Sequence, residues 1–451
     1  LRAENEGLAL DVDAAGESLS VLTSAGIETL GRPDQLTVAE ALLLARRMTG
    51  LVREGVATSS GDQDLLSLCG VGGVESLTPE TMWLAPRRSR MRLVVPIGTT
   101  PEGVPVRLDL KESAQSGMGP HGLCIGATGS GKSELLRVIV TALALTHSPE
   151  DLNFVLVDFK GGATFLDAET LPHTSAVITN LDNEAILVER MYDAISGELN
   201  RRQELLRAAG NFANITDYDA ARQQPGATLE PLPALLIIID EFSELLEQHP
   251  DFAELFVAVG RLGRSLGVHL LLASQRLEEG KMRGLDSHLS YRIGLKTFSA
   301  AESRQVLGVT DAFSLPNQPG AGFLRFGPEN PTRFQAAYAS GPVARRDHRV
   351  PGAQLPAAVR LFVSMADDAA RMSAPADTTA DIRMDTSTTV LGAVVEAARE
   401  AALSRSMTTR KVWLDPLPAR IELSAVAEHR EPLDVTVGIV DRPYHQRQDP
   451  I

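Results

Sequence analysis

The sequence is poor in aromatic residues and contains no long apolar run. Aromatic residues make up 4% of the 451 positions, so the hydrophobic cores must be built from Leu, Val, Ala and Ile. No window approaches the roughly 18 to 20 apolar residues that a membrane-spanning helix needs. Because the chain begins with Leu1 rather than Met, we interpret it as a piece of a larger protein, whose other parts could include membrane spans.

Cysteine patterns typical of metal sites are also absent. The two cysteines, Cys69 and Cys124, lie far apart, and the nine histidines are scattered, so no Cys/His spacing suggests zinc. Such cysteine usage indicates a reducing, cytoplasmic setting in which both thiols are small core residues.

Basic residues are fewer than acidic ones. The sequence has 43 Lys and Arg against 58 Asp and Glu, which gives a formal net charge of −15 at pH 7. This balance weighs against a surface built to neutralise nucleic-acid phosphates, and we expect no nucleic-acid partner. A local basic lining inside a pore would still be compatible with a negative net charge of the whole chain.

One glycine-rich segment carries the clearest chemical signal. It fits the pattern G-x-x-x-x-G-K-[ST], follows an apolar segment ending at Ile125 and precedes a helical pattern that starts at Glu134. The backbone N–H groups of such a loop surround the β- and γ-phosphates of ATP, Lys132 adds a positive charge, and the Ser133 hydroxyl ligates Mg²⁺. A glycine-rich turn without a ligand is the alternative. The phosphate-binding segment consists of Gly126, Ala127, Thr128, Gly129, Ser130, Gly131, Lys132 and Ser133.

A carboxylate pair follows an apolar, β-branched segment at residues 235–239. We predict that Asp240 holds Mg²⁺ through water and that Glu241 polarises the attacking water as general base. The strand that carries the pair is expected to lie next to the strand of the phosphate-binding loop. A carboxylate at this position can also serve only as the N-cap of the next helix.

Two other apolar segments end in polar residues. Residues 154–157 are followed by Asp158, and residues 269–273 are followed by Ser274 and Gln275. In an open α/β sheet the ligand lies beyond the carboxyl ends of the strands, so these side chains should converge on the nucleotide. Gln275 is therefore the candidate sensor of the γ-phosphate or orienter of water.

Four regions are predicted along the chain. The pattern of residues 81–342 alternates strands and helices, as a doubly wound, mainly parallel α/β sheet requires. Residues 1–80 form a helical and irregular region, with a helix from Thr37 to about residue 51, that packs on this domain. Residues 343–432 form a linker, and residues 433–451 begin a second, truncated ATPase domain.

The linker is predicted to contain one helix near residues 356–372 and another at 388–403. A short motif occurs twice in the chain: Trp83-Leu84-Ala85-Pro86 precedes one predicted strand, and Trp413-Leu414-Asp415-Pro416, inside the linker, precedes another. The repeat favours a second module after the linker, with chance similarity as the alternative. The linker either docks and restrains that module or is a flexible tether.

These motifs together resemble the FtsK/SpoIIIE-type ATPases and, more narrowly, the EccC family of type VII secretion motors at its first ATPase domain. The resemblance is strong over residues 80–342, and residues 413–450 match the start of the family's second ATPase domain. The motifs that carry it are Gly119-Pro120-His121-Gly122, the phosphate-binding loop, Asp158-Phe159-Lys160-Gly161-Gly162, Asp240-Glu241-Phe242, the segment from Gly260 to His269, and Ala273-Ser274-Gln275-Arg276.

The resemblance implies a RecA-like P-loop NTPase fold and a membrane-anchored protein with further ATPase domains. It also implies action at the cytoplasmic side of the cell membrane, beside the membrane components of the secretion system. Secreted WXG100-type proteins are the implied cargo, and a homo-oligomeric ring, expected to be a hexamer, is the implied assembly.

Ring motors of this kind complete the active site with an arginine from the neighbouring subunit. We favour Arg190 and Arg292 for this role, and ordinary salt bridging is the alternative for each. The other arginines considered are Arg201, Arg202, Arg261 and Arg264.

The leading hypothesis is therefore an ATPase that drives protein export. A double-stranded DNA translocase of the same superfamily is the first alternative, and it predicts a basic pore and steep salt dependence. A nucleotide-gated assembly scaffold, in which ATP binding rather than turnover matters, is the second.

Overall fold

The structure of the chain is a computed structural model that describes the following residues: 9–12, 18–23, 26–32, 37, 64–83, 91–159, 164–179, 185–277, 284–346, 382–422 and 436–451. The chain forms two compact units, Leu1–Ser60 and Gly61–Ile451. The helices predicted near residues 37–51 and 356–372 lie outside the described residues, apart from Thr37.

The described residues form seventeen strands and eight α-helices. The strands are β1 Ala9–Val12, β2 Leu19–Thr23, β3 Gly26–Gly31, β4 Val94–Thr99, β5 Pro105–Asp109, β6 His121–Ile125, β7 Leu152–Asp158, β8 Thr174–Thr179, β9 Ala234–Asp240, β10 Val268–Ser274, β11 Tyr291–Leu295, β12 Ala321–Phe326, β13 Thr332–Ala336, β14 Pro342–Arg346, β15 Ile382–Thr389, β16 Ile439–Arg442 and β17 Arg447–Pro450. The helices are α1 Leu65–Leu68, α2 Lys132–Thr146, α3 Ala185–Ala208, α4 Ile215–Arg222, α5 Phe242–Gln248, α6 Phe252–Leu266, α7 Ala300–Leu307 and α8 Val390–Ser404.

The first unit contains an antiparallel sheet in which β2 pairs with both β1 and β3. The prediction of a helical and irregular opening is therefore wrong for this part of residues 1–80. The strands are only four to six residues long. Over such short segments a period of two is hard to separate from a helical period, so the pattern gave no clear signal.

The second unit is built on one ten-stranded sheet with the order β5-β4-β13-β12-β11-β6-β10-β9-β7-β8. The six strands from β11 to β8 are parallel to one another. The other four strands pair antiparallel, and they include the hairpin β12–β13. The doubly wound, mainly parallel α/β fold predicted from the sequence is confirmed.

One detail of strand order differs from the prediction. The strand of the carboxylate pair, β9, does not lie next to the strand of the phosphate-binding loop, β6, because β10 lies between them. Each parallel strand is reached through a crossover connection, and the apolar pattern of a doubly buried strand does not specify its neighbours. The observed order places β10, which ends just before Gln275, between the phosphate-binding loop and the carboxylate pair.

Alternate residues of the central strands supply two different cores. On β9, Leu236 and Ile238 face the core that contains α2, whereas Ile237 and Ile239 face the core that contains α3 and α6. This alternation follows from the two-residue period of a strand. Residues two apart on β9 therefore project from the same face of the sheet, up to and including its last residue.

The core of the second unit extends beyond the predicted domain boundary at residue 342. Helix α8, predicted at 388–403 as part of the linker, packs in the same core as α2 through residues such as Leu391, Val394 and Ala398. Leu65 and Leu66 of the region predicted as N-terminal belong to this core as well. Residues 382–404 are thus part of the folded α/β unit rather than a separate linker.

The C-terminal hairpin β16–β17 packs against α3. The close approach requires Gly197, because a Cβ atom at this position would lie 1.8 Å from the carbonyl oxygen of Tyr444. In the part of the chain that the structure describes, no helix is long and apolar enough to span a bilayer.

Candidate functional site

The phosphate-binding loop connects the carboxyl end of β6 to the first turn of α2. Gly129 and Gly131 have φ values of 78° and 91°, in the left-handed region that glycine adopts without strain. A side chain at Gly131 would also collide with the backbone of Gly320, whose N–H donates to the Ser130 carbonyl at 2.8 Å. The loop shape therefore depends on the approach to β12 as well as on its own glycines.

Lys132 lies between the two predicted carboxylates. Its ammonium donates to Asp240 Oδ1 and to Glu241 Oε1, the latter at 2.8 Å. All three residues are buried, with 6%, 3% and 5% of their surfaces exposed. The structure thus brings together the lysine and the carboxylate pair that the sequence places 108 and 109 positions apart.

The electrostatics of this group follow from burial and from the unequal number of charges. Burial alone would lower the pKa of Lys132, but Asp240 and Glu241 outweigh it and raise the pKa. Burial raises the pKa of Asp240, and the charges of Glu241 and Asp158 add to this effect against the opposing Lys132. One ammonium group therefore faces more carboxylates than it can neutralise.

Glu241 occupies the N-cap position of α5 but makes no side-chain cap hydrogen bond. Its φ of 63° is a left-handed conformation that costs a non-glycine residue about 1–2 kcal/mol. In this conformation its Oε2 accepts from the Gln275 N–H at 3.3 Å and from the Ser274 hydroxyl at 3.4 Å. The carboxylate thus faces the site, and the alternative of a simple helix cap does not describe it.

Gln275 reaches the phosphate-binding loop directly. Its Oε1 accepts from the Thr128 hydroxyl at 2.6 Å. The Gln275 backbone N–H contacts Glu241, so one residue joins the loop to the predicted general base. Ser133 follows Lys132 in the first turn of α2, half-buried. The residues predicted to bind nucleotide and Mg²⁺ therefore surround one end of the sheet.

The site also contains residues that the sequence reasoning did not single out. Thr164 donates from its hydroxyl to Asp240 Oδ2 at 3.3 Å, although it follows the end of β7 by six residues in no recognisable motif. Glu134 accepts from the backbone N–H groups of Ala339 and Ser340, at 2.7 and 2.8 Å. Glu134 thereby fixes the first turn of α2 to the chain that leads into β14.

A nucleotide and Mg²⁺ fit the polar groups that this end of the sheet leaves unsatisfied. Ser130 Oγ and Asp158 Oδ2 are buried and have no hydrogen-bond partner among the described residues. Buried polar atoms of this kind are rare and call for an explanation, such as a ligand. The excess of carboxylates over cations is what a divalent metal ion would balance.

Neither favoured arginine reaches the site of its own chain. Arg190 is 7% exposed, is bonded to Asp441, donates to the Leu414 carbonyl at 2.8 Å, and lies over the Trp413 ring. Arg292 donates to Asp286 at 2.8 Å from the amino-terminal part of β11. Because its donors are already used inside its own chain, Arg190 is not placed to act on a neighbouring subunit in this arrangement.

Comparison with known proteins fits this geometry. Residues 79–279, which contain the phosphate-binding loop, the carboxylate pair and Gln275, match the FtsK/SpoIIIE family. These residues belong to the FtsK/SpoIIIE family. The chain therefore carries an ATPase domain of the FtsK/SpoIIIE type, as predicted from the motifs, and nucleotide binding is a property of that family.

The FtsK/SpoIIIE domain has close relatives among secretion proteins. The chain is 52% identical over 447 residues to "ESX secretion system protein EccC" of Thermomonospora curvata, covering 94% of this chain and 34% of that protein. It is 49% identical over 431 residues to "ESX-4 secretion system protein EccC4" of Mycobacterium tuberculosis, with the same two coverages. The chain thus spans about a third of the length of these curated relatives.

A solved structure resembles the chain as well. The cytoplasmic domain of the Thermomonospora curvata type VII secretion ATPase EccC matches with a TM-score of 0.71 and 50% sequence identity. The match covers 87% of this chain and 42% of that one. The FtsK/SpoIIIE fold and the EccC homology predicted from the sequence are both confirmed.

Proposed function

We propose that this chain is the first ATPase domain of a type VII secretion motor and that it hydrolyses ATP to drive protein export. The observation that carries the proposal is the meeting of Lys132, Asp240 and Glu241 beside a complete phosphate-binding loop. The identity of about half of all aligned residues to EccC proteins supports the assignment to secretion.

ATP binding requires Lys132 to change partners. In the present arrangement its ammonium is bound to Asp240 and Glu241, and it moves to the β- and γ-phosphates when these arrive at the loop. Ser133 and Asp240 would then hold Mg²⁺. The bound ion neutralises charge on the β- and γ-phosphates, as in other P-loop NTPases.

The departure of Lys132 frees the Glu241 carboxylate for catalysis. Glu241 then accepts the proton of the attacking water, and its orientation is kept by the Gln275 N–H and the Ser274 hydroxyl. Gln275 is bonded to Thr128 of the loop, so its position depends on the occupancy of the loop. This arrangement supports Gln275 as the sensor of the γ-phosphate.

The proposed motor works as a homo-oligomeric ring, expected to be hexameric, in which an arginine from a neighbouring subunit completes the site. Such an arginine must be exposed on its own subunit. Arg261 and Arg264 are exposed, although Arg264 is paired with Glu112, whereas Arg190 is buried and Arg292 is half-buried and paired with Asp286. Variants that test the trans role should therefore include Arg261 and Arg264 beside Arg292.

Docking of the C-terminal segment is proposed to restrain the domain. Arg190 joins α3 to Trp413, Leu414 and Asp441, and α3 follows the strand β8 at the edge of the parallel part of the sheet. A motor whose α3 is held in this way turns over slowly while the segment is docked. Release by the cargo or by the following ATPase domain would then raise the rate.

The proposed setting is the cytoplasmic side of the cell membrane, with a membrane anchor in a part of the protein that precedes this chain. The proposed partners are the further ATPase domains of the same protein, the membrane components of the secretion system, and secreted WXG100-type proteins. The EccC homology supports these proposals.

The test is the ATPase rate per subunit as a function of protein concentration, with and without duplex DNA, using Lys132→Ala as the inactive control. We expect the rate to rise with concentration and to be unaffected by DNA. A rate that stays flat would contradict activation by a neighbouring subunit. Strong stimulation by DNA at moderate salt would instead favour a DNA translocase.

A further inference from the structure

A third buried carboxylate lies beside the predicted metal-holding residue. Asp158 is the last residue of β7, and it pairs in register with Asp240, the last residue of β9. Leu156 and Ile238, two positions earlier on the same strands, both face the α2 core. Because side chains alternate along a strand, Asp158 and Asp240 project from the same face, toward the helix that begins at Lys132.

The hydrogen bonding of the two aspartates is unequal. Asp240 Oδ1 accepts from Lys132 and from the Glu241 N–H, and its Oδ2 accepts from Thr164. Asp158 is 2% exposed, and its Oδ2 has no hydrogen-bond partner among the described residues. Leaving a buried carboxylate oxygen without a hydrogen bond costs free energy. Asp158 Oδ2 is therefore available to accept a hydrogen bond from a group that is not part of the protein.

Asp158 does not belong to a cage of side chains that could hold a metal ion by itself. Among the described residues, no group of three acidic, histidine or cysteine side chains is close enough to ligate one metal ion. Mg²⁺ keeps several of its waters and is bound through one or two carboxylates together with substrate phosphates. Asp158 Oδ2, a buried acceptor on the strand next to Asp240, can accept a hydrogen bond from one of those waters.

We propose that Asp158 is the positioning residue of the magnesium site and accepts a hydrogen bond from a metal-bound water through Oδ2. The inference rests on the proposed function, because it needs the nucleotide and its metal to bind at the loop. Asp158 keeps its place by its position on β7, whereas Lys132 leaves the carboxylates for the phosphates. Asp240 and Asp158 then hold the metal's water shell from adjacent strands.

The test is Asp158→Asn, which keeps the shape of the side chain but removes its charge. Mn²⁺ is titrated by electron paramagnetic resonance into protein that is saturated with a non-hydrolysable ATP analogue. We expect the affinity for Mn²⁺ to fall about 10-fold or more, which is typical for the loss of an outer-shell partner. The matched control is Asp167→Asn, an exposed aspartate outside the site, and it should change the affinity by less than about twofold.

Two further measurements separate the possible outcomes. Binding of the analogue in EDTA should be as tight in Asp158→Asn as in the parent chain, and the melting temperature in EDTA should be equal or higher, because repulsion between carboxylates is relieved. An unchanged Mn²⁺ affinity would overturn the inference, and so would a melting temperature several degrees lower, which would assign Asp158 a structural role. Failure of the parent chain to bind the analogue would overturn the proposed function itself.

Discussion

The two ends of strands β9 and β10 carry buried charged clusters of opposite character. At the carboxyl ends, Lys132 faces the carboxylates of Asp240 and Glu241, with Asp158 nearby. At the amino ends, one carboxylate, Glu198, faces two guanidinium groups. Arg202 of this second cluster also donates to the carbonyl groups that precede the two strands, at Leu266 and Pro233.

The two clusters differ in how completely they are satisfied. Glu198 accepts from Arg201 and Arg202 through Oε1, at 2.8 and 2.7 Å, and from Arg201 and Gln446 through Oε2, at 2.8 and 3.0 Å. The cluster at the carboxyl ends leaves Ser130 Oγ and Asp158 Oδ2 without partners among the described residues. A saturated cluster stabilises one structure, whereas an unsaturated one is suited to receive a ligand.

The largest effect is expected from removing the carboxylate of the saturated cluster. Glu198→Ala leaves the buried guanidinium of Arg202 without a counterion, which costs about 3–5 kcal/mol in the free energy of unfolding. Denaturant unfolding at pH 7 measures it, with the exposed Glu204→Ala as the control, for which a change within about 0.5 kcal/mol is expected. A loss below about 1 kcal/mol would show that the two clusters do not differ in this way.

The matching change in the unsaturated cluster should affect catalysis instead of stability. Glu241→Gln is expected to slow hydrolysis about 100- to 1,000-fold, which is about 3–4 kcal/mol in activation free energy, while ATP still binds. Calorimetry and steady-state ATPase assays measure the two properties, with the exposed Glu247→Gln as the control. A scaffold that needs only nucleotide binding would keep its function in this variant, and that outcome would contradict a turnover motor.

A smaller effect is expected at the contact between α3 and the C-terminal hairpin. Arg190→Gln removes the charged hydrogen bonds to Asp441 and to the Leu414 carbonyl, which contribute about 2 kcal/mol. Hydrogen exchange should show reduced protection of β16 and β17, and the ATPase rate should rise if the segment is released. The exposed Arg207→Gln on the same helix is the control. An unchanged rate together with lost protection would reject the restraint.

The smallest effect concerns the response of stability to acid. Burial alone would raise the pKa of Glu198, but Arg201 and Arg202 outweigh it and lower the pKa to about 2. The unfolded carboxyl, with a pKa near its ordinary value of 4.5, takes up a proton first as the pH falls. Stability contributed by Glu198 is therefore present above pH 4.5 and is lost progressively toward pH 2.

Between pH 4.5 and 3.5 this loss should be about 1 kcal/mol, since one proton per pH unit corresponds to about 1.4 kcal/mol. Unfolding curves at both pH values measure it, and Glu198→Gln should show a shallower pH dependence than the parent chain. Equal slopes in the two proteins would mean that Glu198 is not the carboxylate responsible.

Much of the site was readable from the sequence because its residues stand at strand ends. The loop, the carboxylate pair and Gln275 each follow an apolar segment, and in a parallel sheet such positions converge at one edge. Thr164 gave no such signal because it reaches Asp240 from a segment after β7. The contact of Arg190 with Asp441 could not be predicted, because the two residues are 251 positions apart and an arginine's position on a helix does not reveal a distant partner.

The amino-acid sequence by itself indicated the chemistry of the site. A loop of glycines, lysine and serine is a local pattern typical of phosphate binding, because its backbone geometry depends on neighbouring residues. The sequence also indicated the α/β class, because apolar periods reflect which faces are buried. Only the tertiary structure decided that β10 separates β6 from β9, that α8 belongs to the core, and that Asp158 stands beside Asp240. These outcomes depend on packing between segments far apart along the chain, which no local pattern records.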